Sequence, residues 1–170
     1  MKFFPNLCLF VLALAAASCM KDDTDRTIFV SAADNSFMTA ISYANHNEME
    51  TGKIALTNAG RDSVKIFGQT MIKEHSGAQS GVDSMAKQLK ISIPQTADTT
   101  HLAIVKKLLS LSGHAFDSAY MRLQLDDHQN TIYLLEDELK NGSSQQVKDF
   151  AAALLPEVRT HYNMAVAIGQ

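Results

Sequence analysis

The chain has 170 residues, of which 46% are hydrophobic and 19% are charged, a composition typical of one globular domain with its own core. The formal net charge is −3 and no run of Lys and Arg occurs, which excludes a basic surface for nucleic acid. Both cysteines, Cys8 and Cys19, lie near the N-terminus, which excludes a disulfide, a thiolate metal ligand or a cysteine nucleophile in the rest of the chain.

Residues 1–18 have the features of a secretory signal peptide. Lys2 supplies positive charge, an apolar stretch runs from Leu7 to Ala17, and small residues precede Cys19. This stretch is too short to span a bilayer, which needs ~20 apolar residues. The pattern resembles the lipobox of bacterial lipoproteins, which implies that Cys19 carries a lipid. The alternative is an ordinary signal peptide with an incidental cysteine.

The signal predicts the location and the division of the chain. We expect residues 19–27 to form a lipidated cysteine and a flexible tether, and residues 28–170 to form one helical domain. A lipid at Cys19 would attach the protein to the outer membrane of the bacterial cell envelope without spanning it. The run Lys21-Asp22-Asp23 is similar to signals that send lipoproteins to the cell surface, so both the periplasmic and the outer face remain open. No protein partner is indicated.

Apolar residues spaced three and four apart predict four long helices. In chain order, helix A is expected over 27–58, helix B over 62–90, helix C over 114–140 and helix D over 144–168, with a short helix over 101–111. Gly60 is expected in a left-handed cap, with Asp62 or Ser63 capping helix B. The short A–B and C–D turns make each pair antiparallel, which predicts an all-α four-helix bundle with an extra helix in the B–C connection.

Each predicted helix carries one ionisable residue on its apolar stripe. These residues are Glu48 in helix A, His75 in helix B, His128 in helix C and His161 in helix D. At ~1.5 Å per residue, counting from the turns brings all four to about one level, together with Glu157. The sequence therefore predicts a polar layer across the middle of the bundle.

Three interpretations of this layer remain open. The layer could bind a divalent transition-metal ion through Glu48, His75, His128 and His161. It could instead be structural, with Glu and His pairing to fix the helix register, or it could line a small-molecule pocket. The supporting polar groups are Asp117, Tyr120 and Glu157. A di-iron centre is disfavoured because the Glu-x-x-His pairs of such bundles are absent.

No catalytic motif is present. The sequence has no Gly-rich phosphate loop, no Gly-x-Ser-x-Gly and no His-Glu-x-x-His. The acidic residues beside the stripe histidines are expected to be solvated, and the remaining histidines are expected at the surface: Glu74, Asp126 and Asp127, and His46, His101 and His114. We therefore expect a protein that is not an enzyme, whose polar layer is structural or weakly ligand-binding, with a metal-binding protein or metal-dependent enzyme as the alternative.

Several spaced motifs together resemble one family. These are Glu48-Met-Glu-Thr-Gly-Lys-Ile-Ala, Val64-Lys-x-Phe followed by Met71-Ile-x-x-His, Phe116-Asp-x-x-Tyr followed by Asp127-His, and a late Pro156 before His161. They are similar to the DUF4142 family of exported bacterial proteins. The resemblance implies a ferritin-like four-helix bundle in the cell envelope. It also implies recurrent polar positions at Glu48, His75, Asp117, His128 and His161, but it does not imply ferroxidase activity.

Overall fold

The computed structural model describes residues 30–170, which are almost entirely helical. Five α-helices follow one another: α1 (Ala32–Asn58), α2 (Asp62–Leu89), α3 (Leu102–Leu109), α4 (Gly113–Asn141) and α5 (Gln145–Gly169). One 3₁₀ turn, Thr99–His101, precedes α3. The predicted all-α fold is confirmed. Across residues 30–170, no helix is long and apolar enough to cross a membrane.

The four long helices form two antiparallel hairpins. Helix α1 packs along α2 and α4 packs along α5, and the hairpins meet through contacts of α1 with α4 and of α2 with α5. The connection over residues 90–112 contains α3, which lies against α1, and returns the chain to the α1–α2 turn. There Ala59 pairs with Gly113, so α4 starts where α2 starts. One long crossover with antiparallel neighbours is the ferritin-like arrangement, as predicted.

The helix ends differ from the prediction in detail. Helix α1 begins at Ala32 because Ser31 caps it, and Val30 and Ser31 are not helical. The predicted start at Thr27 lies outside the described residues. Helix α2 ends at Leu89, one residue early, because Lys90 takes the left-handed conformation that closes many helices.

The α1–α2 turn is capped from another helix, which corrects the expected local cap. Gly60 does not adopt a left-handed conformation, and Arg61 precedes α2 without a side-chain cap. Instead, the buried carboxylate of Asp117 in α4 accepts hydrogen bonds from the backbone N–H groups of Gly60 at 2.9 Å and Arg61 at 3.0 Å. Asp117 therefore joins the two hairpins at this end of the bundle.

A polar layer divides the core into two apolar clusters. The first cluster includes Ala55, Phe67, Met71, Phe116 and Tyr120, and the second includes Phe37, Ile41, Val82, Leu135 and Val147. Between them lie the buried polar residues of the layer: Asn45, Glu48, His75, Gln79, Gln124, His128 and His161. Both clusters are complete within residues 30–170, so this part of the chain contains its own core.

Helices α1 and α2 approach each other closely at two glycines near the layer. A Cβ atom on Gly68 would lie 2.8 Å from the Cβ of Ala55 and 3.0 Å from the carbonyl oxygen of Gly52. A Cβ atom on Gly52 would lie 2.8 Å from the carbonyl oxygen of Gly68. The two distances of 2.8 Å are shorter than packed side chains adopt, so this crossing requires glycine on both helices.

We expect Gly68→Ala to lower the free energy of unfolding by about 1–3 kcal/mol, because the added methyl overpacks the crossing. The control is Gly77→Ala on the same helix, where the added methyl meets no atom within 4 Å. Because alanine favours helix, that variant should be unchanged or about 0.5–1 kcal/mol more stable. Urea denaturation measures both, and equal effects of the two substitutions would contradict the close crossing.

Candidate metal centre

Three helices bring three imidazoles together in the middle of the bundle. His75 of α2, His128 of α4 and His161 of α5 are 6%, 2% and 1% exposed, and we call them the histidine cluster. Their ring centroids lie 5.7 Å (His75–His128), 5.3 Å (His75–His161) and 5.4 Å (His128–His161) apart. The three rings therefore form a nearly equilateral triangle that is closed to bulk solvent.

One nitrogen of each ring is held by a protein acceptor. His75 Nδ1 lies 2.9 Å from the side-chain oxygen of Asn45, and His128 Nδ1 lies 2.8 Å from the backbone carbonyl of Gln124. His161 Nε2 lies 2.6 Å from a carboxylate oxygen of Glu74. A carbonyl and a carboxylate can only accept, so His128 donates through Nδ1 and His161 donates through Nε2.

The proton position on His75 follows from a chain of hydrogen bonds that ends at Pro94. The Ser42 hydroxyl donates to the Pro94 carbonyl at 2.7 Å, and its oxygen accepts from Gln79 Nε2 at 3.0 Å. Gln79 Oε1 then accepts from Asn45 Nδ2 at 3.2 Å. The remaining oxygen of Asn45 must accept from His75 Nδ1, which leaves His75 Nε2 without a proton.

The other nitrogens are His75 Nε2, His128 Nε2 and His161 Nδ1, and none has a hydrogen-bond partner among the described residues. The three imidazoles offer ligand nitrogens that all lie within 4.8 Å of one another. Since the other nitrogen of each ring carries the proton, these three nitrogens present lone pairs. Buried lone pairs on three neighbouring rings attract a cation.

The environment keeps the three rings neutral. Burial lowers the pKa of His75 well below its usual value, and the neighbouring His128 and His161 lower it further. Burial also lowers the pKa of His128 to about 4, and it lowers the pKa of His161 despite the hydrogen bond to Glu74. Neutral imidazole is the form that binds metal, so the cluster is ready to bind at neutral pH.

Glu48 lies behind His128 rather than among the three nitrogens. Its carboxylate accepts from Gln124 Nε2 at 2.7 Å, and its other oxygen is 3.7 Å from His128 Nδ1, the protonated side of the ring. Burial raises the pKa of Glu48 to about 7. Glu48 and Asp127 line a surface cavity of about 280 Å³, and burial with the Glu48 charge raises the pKa of Asp127 to about 7.

The other predicted site residues lie at separate positions. Asp117 caps the α1–α2 turn, and Tyr120 stacks on Phe116 with ring centroids 5.4 Å apart inside the first apolar cluster. Glu157 is exposed on α5, and the ligand atoms of Glu157 and His161 lie within 4.8 Å of each other. Cys19 lies outside the described residues.

Several polar residues expected at the surface are buried or partly buried, among them Asp127, whose pKa burial raises. His101, expected at the surface, is only 4% exposed. Glu74, expected to be solvated, is partly buried because α5 brings His161 against it. The hydrogen-bonded residues Ser42, Asn45 and Gln79 were missed altogether. A signal was present, since Asn45 and Gln79 lie one helical turn from Glu48 and His75 and so share their stripe.

The sequence profile of DUF4142, described as a domain of unknown function, matches residues 20–168. The chain belongs to the DUF4142 family. The resemblance carried by the spaced Glu, Asp and His motifs is thereby confirmed. No curated protein matches this DUF4142 chain.

Two crystal structures share the fold of this DUF4142 protein. A DUF305 fragment from Deinococcus radiodurans has a TM-score of 0.71 at 13% identity and covers 82% of this chain and 97% of its own. A Streptomyces coelicolor protein described as "putative secreted protein DUF305" has a TM-score of 0.67 at 14% identity, covering 80% of this chain and 89% of its own. At these identities the likeness shows a common helical fold.

The lowered pKa of His128 predicts how stability depends on pH. Between pH 6.5 and 4 the unfolded chain binds a proton at this histidine and the folded chain does not, so folding weakens as pH falls. The contribution is complete above pH 6.5, is lost on acidification through pH 4, and amounts to about 3 kcal/mol. The raised pKa of Glu48 acts oppositely, weakening folding as pH rises from 4.5 through 7.

We therefore expect His128→Gln to lose less stability on acidification than the wild type. Urea denaturation at pH 4, 5, 6 and 7 gives the difference between the two proteins, and the shared effect of Glu48 cancels in that difference. Parallel stability curves for wild type and variant would contradict a neutral buried His128.

Proposed function

We propose that this chain is a cell-envelope protein that binds one divalent transition-metal ion through His75 Nε2, His128 Nε2 and His161 Nδ1. One observation carries the proposal: each imidazole commits one nitrogen to a protein acceptor and leaves the other buried without a partner, and one nitrogen of each ring lies within 4.8 Å of the others. Metal-bound histidines almost always donate their second N–H to a carbonyl or carboxylate in this way. The acceptors here are an amide, a backbone carbonyl and a carboxylate.

A purely structural layer explains this arrangement less well. Buried polar groups that fix helix register normally pair with one another, and a buried group left unpaired costs about 1–3 kcal/mol. In the histidine cluster every nitrogen without a partner is an acceptor, so these nitrogens cannot hydrogen-bond with one another. A bound cation would satisfy all three lone pairs at once.

The donor set suits a borderline transition-metal ion such as Zn²⁺, Co²⁺, Ni²⁺ or Cu²⁺, because all three ligands are imidazole nitrogens. A tetrahedral Zn²⁺ ion binds nitrogen at ~2.0–2.1 Å, so its ligand nitrogens lie about 3.4 Å apart. Nitrogens now within 4.8 Å of one another would move together by up to about 1.4 Å on binding. Three protein ligands leave a fourth position. A cavity of about 20 Å³ lined by His75 and His161, large enough for one water molecule, adjoins the cluster.

The proposed location rests on the N-terminal sequence. The signal pattern over residues 1–18 and the small residues before Cys19 favour a lipoprotein, with residues 19–27 as its tether. A single lipid chain holds a protein only weakly, so stable attachment to the outer membrane requires the two or more chains that bacterial lipoproteins carry. A bound ion with an open position serves metal handling as well as catalysis.

Metal analysis of residues 20–170, produced without affinity histidines, tests the proposal. We expect about one Zn²⁺ or Co²⁺ ion per chain and a melting temperature that EDTA lowers, since an ion present at 100 times its Kd stabilises by about 2.7 kcal/mol. The double variant His75→Ala, His128→Ala should bind no metal. The control His114→Ala removes an exposed histidine and should bind like the wild type.

The contradicting result is a wild-type chain with no bound metal and no response to EDTA, and a double variant that is merely less stable. The polar layer would then be structural.

A further inference from the structure

His161 belongs to two groups of potential metal ligands. One is the histidine cluster, and the other joins His161 to Glu74 of α2 and Glu157 of α5, whose ligand atoms also lie within 4.8 Å of one another. The first group is fully buried, whereas Glu74 is partly buried and Glu157 is exposed. A single imidazole therefore connects the protein surface to the buried cluster.

The two carboxylates differ in what holds them. Glu74 accepts the Nε2–H of His161 at 2.6 Å, so it fixes the direction of that ring. Glu157 lies one helical turn before His161 and makes no hydrogen bond or ion pair with any described residue. By contrast, Glu136 on the neighbouring helix is paired with Arg159 at 2.6 Å. Glu157 is therefore an uncompensated negative charge beside His161.

A small cavity lies between Glu157 and two residues of the histidine cluster. Glu157, His75 and His161 all line the cavity of about 20 Å³, and its other walls are mostly apolar, including Ile41 and Leu154. Both histidines are more than nine-tenths buried, and each has a nitrogen without a partner. The surface carboxylate therefore borders the same small cavity as two residues of the histidine cluster.

The chemistry of the two groups differs in a way that suits successive binding. Carboxylate oxygens bind hydrated divalent cations weakly and leave several waters in place, whereas imidazole nitrogens hold transition metals more strongly. Exposed negative charge at the entrance of a site also raises the local concentration of cations and their association rate. An ion captured by the carboxylates would gain free energy by moving inward.

We propose that Glu157 and Glu74 form an outer loading site, which captures a hydrated divalent cation from solvent and passes it beside His161 to the histidine cluster. The loading site rests on the proposed function, because it has no purpose unless the inner site binds metal. Replacing Glu157 tests loading separately from holding, because Glu157 makes no hydrogen bond to His161. Replacing Glu74 would not, because Glu74 also orients that ring.

Stopped-flow mixing of residues 20–170 with Co²⁺ tests the loading site through the visible absorption of nitrogen-bound cobalt. We compare wild type, Glu157→Gln and Asp149→Asn, which removes the same charge from an exposed position on α5. Glu157→Gln should slow association ~10-fold and should slow transfer of bound Co²⁺ to excess EDTA similarly. The final spectrum should match that of the wild type, and Asp149→Asn should show wild-type rates.

Each other outcome overturns a distinct claim. Wild-type association rates in Glu157→Gln, with normal Co²⁺ binding, would overturn the loading site and leave the histidine site standing. Weakened affinity with an unchanged association rate would make Glu157 part of the holding site and would also overturn loading. Equal slowing in Asp149→Asn would show that the association rate depends on the net charge of the protein rather than on Glu157, and would overturn the loading site. No Co²⁺ absorption in the wild type would overturn the proposed function and loading together.

Discussion

The backbone carbonyl of Pro94 can only accept a hydrogen bond, and this fixes the direction of every bond between it and His75. Ser42 must donate to Pro94, so its oxygen must accept from Gln79, and the two side-chain amides must then point so that Asn45 accepts from His75. The crossover connection between the hairpins thereby determines which nitrogen of a histidine in the core carries the proton. The backbone carbonyl of Gln124 and the carboxylate of Glu74 likewise each accept a hydrogen bond from one nitrogen, of His128 and of His161 respectively. The nitrogens without partners in the three rings therefore carry lone pairs and no proton.

The rest of the bundle holds this layer in place. Apolar clusters on both sides of the layer shield it from solvent. Burial therefore keeps the imidazoles neutral, and each nitrogen without a partner lowers the stability of the fold. The Gly52–Gly68 crossing brings α1 close to α2 and so brings Asn45 within reach of His75. At the end of the bundle that holds the α1–α2 turn, Asp117 fixes the start of α4 against that turn. This contact sets the position of His128 along the bundle axis. Asp117, which the sequence predicted as a supporting polar residue of the site, therefore contributes by fixing the fold rather than by contacting the histidine cluster.

Helical periodicity was sufficient to predict the fold, because each long helix carries an apolar stripe and the turns and Pro94 are marked in the sequence. The same stripes singled out His75, His128 and His161, since a histidine on an apolar stripe faces the core wherever the helix lies. The orientation of Glu48 could not be predicted in this way. Both nitrogens of the His128 ring lie inside the bundle. Only the hydrogen bond from His128 Nδ1 to the backbone carbonyl of Gln124 shows which nitrogen lies beside Glu48. The roles of Glu74 and Asn45 depend on contacts between helices far apart in the chain, which periodicity on one helix does not contain.

The protonation of the three rings is the most direct test of this account. Long-range ¹⁵N correlation spectra of residues 20–170, recorded at pH 7 in EDTA and then with one equivalent of Zn²⁺, report the proton on each imidazole nitrogen. We expect three neutral rings, with His75 and His128 unprotonated at Nε2 and His161 unprotonated at Nδ1, and we expect Zn²⁺ to shift the resonances of these three nitrogens. A proton on any of the three in the metal-free protein, or spectra that Zn²⁺ leaves unchanged, would contradict it.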